Sequence, residues 1–527
     1  MLKLYWKNAT SRVVGSEHGI TPTDLNEIDA AVRSAHEGVL SRIAAKELGY
    51  AKLVPVKANP AQADAVGQVG QYVRDFGDTI TDLVVLGIGG SALGSIALQA
   101  ALNPSTYNLL PREARNGRPR MFVLDNVDPA LVGDVLSFLD GTDEKTGKER
   151  WQSTVVNVIS KSGETAETAA QFLLFRDIMR RKLGEGFAER IVATCGFPEK
   201  GKKEPTLYGI VKPPKGKETD GYKLLEQFPD VGGRFSVLSC GLFTAEMCGI
   251  STKDLLRGAA AMKKLVEAPL ADRSWRKNPA CVLAAVKHLA FARKRKPMHV
   301  MMPYSNRLYL LADWYRQLWA ESLGKRRDRN GEEVLVGPTP IKALGTTDQH
   351  SQVQLYREGP NDKLVVFLES AEHEHQDEER LTMPTAPVSK TPKADDREET
   401  PEERLAYLGK KKLADLLNNE KTATEYALSV SNRPTVTIRF PKIDAYNVGA
   451  FFYLYEFTTS LMGELLDIDA YDQPAVELGK DATFALMGRN GCVRDIVVPD
   501  LGGRKLSYED FGKEIRGFAE ADPEYLV

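Results

Sequence analysis

The chain has no apolar run long enough to cross a bilayer. A helical span takes roughly 20 consecutive apolar residues, and no stretch of the 527-residue sequence approaches that length. Its opening, Met1-Leu2-Lys3-Leu4-Tyr5-Trp6-Lys7, also has no secretory apolar core, so a cytoplasmic protein with no membrane partner is expected. A surplus of positive charge is missing too. The 70 Lys and Arg are balanced by 72 Asp and Glu, for a net charge of −2, which disfavours nucleic acid and anionic surfaces as partners. Five cysteines, Cys195, Cys240, Cys248, Cys281 and Cys492, are scattered without a metal-type or redox-type pair. Their odd number argues against a disulfide framework and fits a reducing compartment.

What is present is the composition of an ordinary soluble protein, 42% hydrophobic and 27% charged, with length for two or three cores. Strand-like runs at Leu83 to Ile88, Met121 to Leu124, Val155 to Ile159 and Ile191 to Thr194 alternate with helical patterns. The alternation restarts with strands at His299 to Met302 and Lys363 to Leu368 around a helix from about Asn306 to Leu323. This predicts an α/β chain with two successive doubly wound parallel sheets, helices on both faces of each. The expected divisions are an N-terminal helical segment (1–55), a first α/β domain (56–260), a second (261–487) and a C-terminal segment (488–527). Pro22 to Leu48 reads as polar helix, and Leu255 to Lys294 as helix broken near Pro269 and Pro279. Ser370 to Glu403, charged and proline-bearing, reads as a surface insertion. Thr400 caps the next helix start, while His373 and His375 read as solvated loop residues rather than metal ligands.

Four strings carry candidate chemistry. Ser160-Lys161-Ser162-Gly163-Glu164-Thr165 joins a strand to a long helix. The unpaired N–H groups and positive dipole end of that helix suit a phosphate. Gly163 allows close backbone approach, and Thr165 is placed as N-cap. A capped turn facing water is the plain alternative. Gly87, Gly89 and Ala92 match a dinucleotide fingerprint in part, with Asp125 ending the next strand, but Gly90-Ser91 equally suits a sugar phosphate. In Val231-Gly232-Gly233-Arg234-Phe235-Ser236 a permanently charged guanidinium follows two glycines. It suits a phosphate or a developing oxyanion, or else a solvated surface turn. On the Asn306 to Leu323 helix, Leu308, Leu311, Tyr315, Leu318, Trp319 and Ser322 form the inner stripe, and Gln317 and Glu321 share another face. Glu321 stands in the last turn, against the negative end of the helix dipole, where a carboxylate is disfavoured. The ordinary reading pairs it with Lys325, Arg326 or Arg327.

Two further sites are weaker. His350, one of seven histidines, ends the polar loop Gly345-Thr346-Thr347-Asp348-Gln349-His350, and histidine can exchange a proton near neutrality. Asp472 to Lys480 begins a helix with Pro474 in its first turn, which would stack Gln473 and Lys480, seven apart, roughly one above the other.

In this order the strings Gly-Ile-Gly-Gly-Ser, Ser-Lys-Ser-Gly-Glu-Thr, Gly-Gly-Arg-Phe-Ser, Gln-x-x-x-Glu-Ser-x-Gly-Lys, Gly-x-x-x-Gln-His and Gln-x-x-x-Glu-x-Gly-Lys closely resemble the glucose-6-phosphate isomerase family, from about Leu83 to Lys480. The resemblance implies two sugar-isomerase (SIS-type) domains in a homodimer with a shared active site. The implied reaction is reversible isomerisation of glucose 6-phosphate to fructose 6-phosphate through a cis-enediol, in glycolysis and gluconeogenesis, with no cofactor. It also implies that Gly90, Ser91 and Gly233 line the substrate pocket and that Ser160, Lys161, Ser162 and Thr165 hold the phosphate. Arg234 would stabilise the enediolate, Gln317 position the substrate and Glu321 act as the base. His350, reaching in from the partner, and Lys480 would open the ring, and Gln473 would contact the sugar. Glu164 departs from the family's more usual threonine, and its side chain is expected to point away from the phosphate. Competing readings are a noncatalytic sugar-phosphate sensor, a nicotinamide dehydrogenase and a dual-specificity glucose/mannose phosphate isomerase.

Overall fold

The computed structural model describes residues 1–54, 60–143, 146–212, 221–228, 231–270, 275–385, 400–489, 495–497 and 505–507. Met1–Ala470 form one compact unit, and Tyr471–Val527 a second.

Strand β1, Lys3–Tyr5, precedes the first sheet in the chain but joins the second. The first sheet consists of β2 (Asp82–Leu86), β3 (Arg120–Leu124), β4 (Thr154–Ser160), β5 (Ile191–Cys195) and β6 (Lys223–Glu226) in the order β3-β2-β4-β5-β6. All its pairs are parallel. β2, β4 and β5 are buried along their whole length, the condition of parallel strands covered on both faces, and this explains their nearly unbroken Val, Ile and Leu runs. The polar break in β4, Asn157, donates to the Val192 carbonyl at 2.9 Å and to Thr194 at 3.1 Å. The helix Ala166–Leu183 covers one face through Phe172, Phe175 and Met179, which pack with Val156, Val158 and Trp151.

The second sheet draws on β7 (Met298–Pro303), β10 (Thr339–Lys342), β11 (Lys363–Glu372) and β12 (Thr435–Lys442), in the order β1-β12-β11-β7-β10. Two short strands, β8 (Lys325–Arg327) and β9 (Glu333–Val336), form a separate antiparallel pair. β12, β11, β7 and β10 run parallel, and β1 is laid antiparallel on β12, Lys3 opposite Arg439. The expected α/β class with two parallel sheets is what the chain adopts. Between the sheets, the predicted helical stretch is Thr252–Val266 followed by Pro279–Arg293, with Pro279 in the first turn capped by Asn278. The expected division at 260/261 falls inside the first of these helices. Ala445–Leu465, buried all round from Asn447 to Gly463, runs through the middle of the unit.

The charged insertion expected from Ser370 begins later than the sequence suggests, because Ser370 to Glu372 complete β11. Its residues 386–399 lie outside the described part. Thr400 does cap a helix start, accepting from the Glu403 N–H in a capping box. The C-terminal unit holds a 3₁₀ turn at Pro474–Val476, the helix Glu477–Leu486 and an antiparallel pair, β13 (Asp495–Val497) with β14 (Lys505–Ser507). No helix of the described residues is long and apolar enough to cross a membrane.

Candidate active site

β2 and β4 are neighbours, but the chain leaves β2 for β3 on one side and β4 for β5 on the other. The crevice beyond the carboxyl ends of such a divergent pair is where open α/β sheets receive ligands. Gly87 to Ser91 leaves β2, with Gly89–Ser91 in a 3₁₀ turn ahead of the helix Leu93–Leu102. Ser160 ends β4 and leads into the loop before Ala166–Leu183. The two strings singled out in the sequence therefore flank one crevice.

The Ser160 loop is knitted by its own hydroxyls. The Gly163 N–H donates to Ser160 Oγ and the Glu164 N–H to Ser162 Oγ, each at 3.1 Å. Lys161 Nζ reaches the Val231 carbonyl at 3.4 Å. Gly163 has φ +72°, and a Cβ there would stand 2.2 Å from the Leu207 backbone nitrogen, so both its conformation and its surroundings call for glycine. Thr165 occupies the N-cap position, but its hydroxyl makes no capping bond. It accepts a long contact from Ser160 Oγ, 3.5 Å, instead. The Glu164 carboxylate accepts from Lys203 at 2.9 Å and Thr206 at 2.8 Å, and that cation offsets its charge.

Three elements meet at Arg234. Gly90 lies backbone against backbone with the Gly233–Phe235 turn, since a Cβ on Gly90 would fall 2.2 Å from the Gly233 carbonyl carbon. The alternative of a solvated surface turn is overturned: the Arg234 side chain is 1% exposed. Its Nε donates to Ser322 Oγ at 2.7 Å and Nη2 to the Ala470 carbonyl at 2.8 Å, while Nη1 stands 3.6 Å from Glu321 Oε1. Gln317, one turn before Glu321, donates to its other carboxylate oxygen at 3.0 Å. The Gln317 amide also packs against Gly89, within 3.0 Å of where a Cβ would be, and its own oxygen is buried without a partner among the described residues. Glu321 keeps 26% of its side chain exposed, so a ligand in the crevice can reach it. Of the cations that follow, Lys325 Nζ donates to the Glu321 carbonyl at 3.3 Å and so answers the dipole of the helix end, and Arg326 pairs with Glu333 at 2.7 Å.

The remaining candidates, His350, Gln473 and Lys480, stand on other elements. His350 is exposed at the end of the turn Thr347–His350, and among the described residues no hydrogen bond or ion pair links it to Glu321. Its loop is well anchored. Gln349 Oε1 accepts from Tyr304 at 3.1 Å and Thr424 at 2.8 Å, and Asp348 accepts from the Leu344 N–H at 2.6 Å. Burial pushes the Tyr304 hydroxyl up to about 12. For Asp348 burial acts upward, but hydrogen bonds from Ser351, Gln352 and the Leu344 N–H prevail and hold its carboxyl below the usual range. Gln473 and Lys480 belong to the C-terminal unit, where Lys480 is half exposed and pairs with Glu477 at 2.8 Å. They are not stacked on one helix as the sequence suggests: Pro474 opens a 3₁₀ turn, and the α-helix begins only at Glu477.

β7 and β11 form the equivalent divergent pair of the second sheet. Beyond their ends lies a cleft of about 1240 Å³ lined by Ser305, Arg307, Glu372, His373, Glu374 and Lys442. Arg307 there is already engaged by the Asn103 carbonyl at 2.6 Å and by Glu374. His373 bonds Asn418 at 3.1 Å and His375 bonds Glu378. Among the described residues no three His, Cys, Asp or Glu are grouped to hold a metal ion.

Nothing in the sequence pointed to what lies behind the Glu321 helix. Lys287 is fully buried, donates to Tyr315 at 3.0 Å and sits 4.4 Å from the Trp319 ring centre. Burial drives its amine well below the ordinary lysine value. His299, 5.8 Å from Trp319 between ring centres, is driven down by burial and by Lys287.

A hydroxyl- and lysine-bearing loop at a helix start and a carboxylate beside a buried guanidinium, at the switch point of a doubly wound sheet, are the arrangement of an α/β enzyme. The phosphoglucose isomerase family profile matches residues 57–489. The chain is 42% identical over 430 residues to a glucose-6-phosphate isomerase of Carboxydothermus hydrogenoformans, covering 81% of this chain and 83% of the other. It is 38% identical to that of Rubrobacter xylanophilus, covering 90% and 96%. Among solved structures, a hypothetical protein from Thermus thermophilus superposes with TM-score 0.70 at 32% identity, covering 93% of this chain and all of that one. The glucose-6-phosphate isomerase of Chlamydia trachomatis shares the fold, with TM-score 0.63 at 23% identity over 81% and 74%. The chain belongs to the phosphoglucose isomerase family.

Proposed function

We propose that the chain catalyses the reversible isomerisation of glucose 6-phosphate and fructose 6-phosphate, with Glu321 as the base. The observation that carries this reading is the Glu321 carboxylate, partly exposed to the crevice and set 3.6 Å from a buried guanidinium. Ser160, Lys161, Ser162 and Thr165 take the phosphate at the start of the Ala166–Leu183 helix, and Gly90, Ser91 and Gly233 line the sugar. On the open-chain aldose, Glu321 removes the C2 proton. The C–H electron pair forms the C1–C2 double bond, and the carbonyl pair moves onto O1. Arg234 offsets that charge. Glu321 then returns the proton to C1 while the O2 hydroxyl proton passes to O1, so that the O2 electron pair forms the new C2 carbonyl, and Gln317 holds the carboxylate in place. One carboxylate serves both carbons because C1 and C2 are adjacent in a planar cis-enediolate.

His350, with Lys480, moves the proton from the O1 hydroxyl to the ring oxygen that opens the pyranose, and Gln473 contacts the sugar. We propose that His350 enters from the partner subunit of a two-fold dimer. The large unit divides in this reading into two sugar-isomerase-type halves, one per sheet. A cytoplasmic place in glycolysis and gluconeogenesis follows from the reaction.

The test is to incubate the purified protein with fructose 6-phosphate in deuterated water, without added metal or nucleotide, and to follow the products by NMR. Glucose 6-phosphate is expected, with deuterium at C2 to the extent that the proton held on Glu321 exchanges with solvent, and absence of glucose 6-phosphate sinks the reading. Mannose 6-phosphate in a parallel sample measures the breadth of specificity. Mixed dimers of His350→Ala and Glu321→Gln chains should regain up to about half of wild-type turnover, because one of their two sites holds both groups. No gain over the parents removes the shared site.

A further inference from the structure

Glu321 and Ser322 are consecutive, and on a helix consecutive side chains point about 100° apart, normally into different surroundings. Here both reach one group. Glu321 Oε1 lies 3.6 Å from Nη1 of Arg234, and Ser322 Oγ accepts from Nε of the same guanidinium at 2.7 Å. Ser322 is completely buried, and its hydroxyl has Arg234 as its hydrogen-bond partner among the described residues. The Ala470 carbonyl takes Nη2 at 2.8 Å. An arginine has several rotatable bonds, so a single contact leaves its plane free to turn. The acceptors on Nε and Nη2 hold that plane, with Nη1 3.6 Å from the carboxylate.

We propose that Ser322 is a positioning residue for the isomerisation, setting the plane of Arg234 so that the guanidinium faces the charge formed beside Glu321. The inference rests on the isomerase reading above. A serine in this place acts through the arginine and not on the sugar, so its loss should be felt where charge develops and not where substrate first binds.

The experiment measures steady-state turnover of fructose 6-phosphate by Ser322→Ala, Ser322→Thr, Arg234→Ala and the Ser322→Ala/Arg234→Ala pair. It adds affinities for sorbitol 6-phosphate, which carries no charge at C1 and C2, and 5-phosphoarabinonate, whose planar carboxylate resembles the enediolate. Ser322→Ala is expected to lower kcat on the order of tenfold to a hundredfold, the worth of a hydrogen bond to a charged group, with KM and sorbitol 6-phosphate affinity within about twofold. Its 5-phosphoarabinonate affinity should fall in parallel with kcat. Ser322→Thr, which keeps the hydroxyl, should recover most of the turnover. In the Arg234→Ala background, removing the hydroxyl should cost nothing further. A Ser322→Ala enzyme with unchanged kcat, a rise in KM alone, or losses that add fully in the double variant would each overturn the proposal. If Ser322→Ala unfolds, the Ser322→Thr arm decides: a loss of kcat there equal to that of Arg234→Ala, in a folded protein, overturns it, and retained turnover supports it. Absent wild-type turnover fails the parent reading itself, a result distinct from a normal wild type beside an unaffected variant.

Discussion

The Asn306–Leu323 helix lies between two buried cations, and the two are treated in opposite ways. On one side Arg234 is ringed by a carboxylate, a serine oxygen and a carbonyl oxygen. On the other, Lys287 meets one tyrosine hydroxyl and the faces of Tyr315, Trp319 and Tyr455, and among the described residues no carboxylate forms an ion pair with it. Burial costs a charge several kcal/mol of hydration unless oxygen atoms replace the water. Arg234 has those oxygens, and an arginine cannot shed its proton in any case. Lys287 has only the Tyr315 hydroxyl among the described residues, and burial drives its amine toward the neutral form. A buried positive residue beside a helix is therefore not by itself evidence of a site. The acceptors around it distinguish a group kept charged for chemistry from one tolerated in a core.

The sharpest way to break this comparison is Glu321→Gln, which keeps shape and removes the proposed base. Turnover should fall by at least about 10² to 10⁴ while inhibitor binding and thermal unfolding stay close to wild type. Near-normal product formation would leave the Arg234 side without a reaction. Next in size is Arg234→Met, expected to lower kcat by about 10² to 10³, with circular dichroism reporting an intact fold. An unaffected kcat would make Arg234 as structural as Lys287. Lys287→Met should do the reverse. Replacing a buried, poorly compensated cation by an apolar side chain of similar length is often neutral or stabilising by about 1–4 kcal/mol. Its Tm should hold or rise and its turnover stay near wild type, and a large loss of kcat would show that the aromatic side also serves catalysis.

Proton linkage sharpens the contrast further. With its folded pKa lowered, Lys287 is less protonated in the native state than in the unfolded chain between that lowered value and about 10.4. Its burial is therefore least costly at high pH, and the Tm advantage of Lys287→Met should shrink as pH rises from 7 toward 10. A constant advantage would refute a lowered amine. The smallest effect belongs to His299. It is also held down by burial, so below about pH 6.5 the unfolded chain takes a proton the native state refuses, and stability falls. His299→Leu should flatten that part of the Tm profile by a few degrees.

The sequence was most readable where local pattern and final surroundings agree. The strands of the first sheet are unbroken apolar runs because both faces are covered, and Asn306–Leu323 matches its predicted limits because an amphipathic stripe marks it. β6, β10 and β12 went unread: each is short or carries charged and proline residues. The buried helix Ala445–Leu465 was missed because it is buried all round, so its apolar residues follow no single face and offer no period. At the site, Glu321 could be singled out as a residue breaking the charge rule for helix ends. The burial of Arg234 could not be seen, because its partners Ser322 and Ala470 lie 88 and 236 residues further along the chain. Gly-Gly-Arg looks the same in a surface turn. The stacking of Gln473 on Lys480 failed for a local reason, the 3₁₀ turn that Pro474 opens.

The antiparallel seating of β1 on β12 has a consequence in time. Lys3 pairs with Arg439, and Asn8 bonds Glu425 at 3.0 Å. At a synthesis rate of about 5–20 residues per second, the first strand leaves the ribosome on the order of half a minute or more before its partner exists. During that interval Lys3–Tyr5 is an unpaired strand, and the second sheet cannot close its β12 edge until late in synthesis. The first sheet, complete by Glu226, has no such wait. The half of the molecule that carries the Ser160 loop is thus free to fold early, and the half that carries Glu321 reaches its final edge only after most of the chain has emerged.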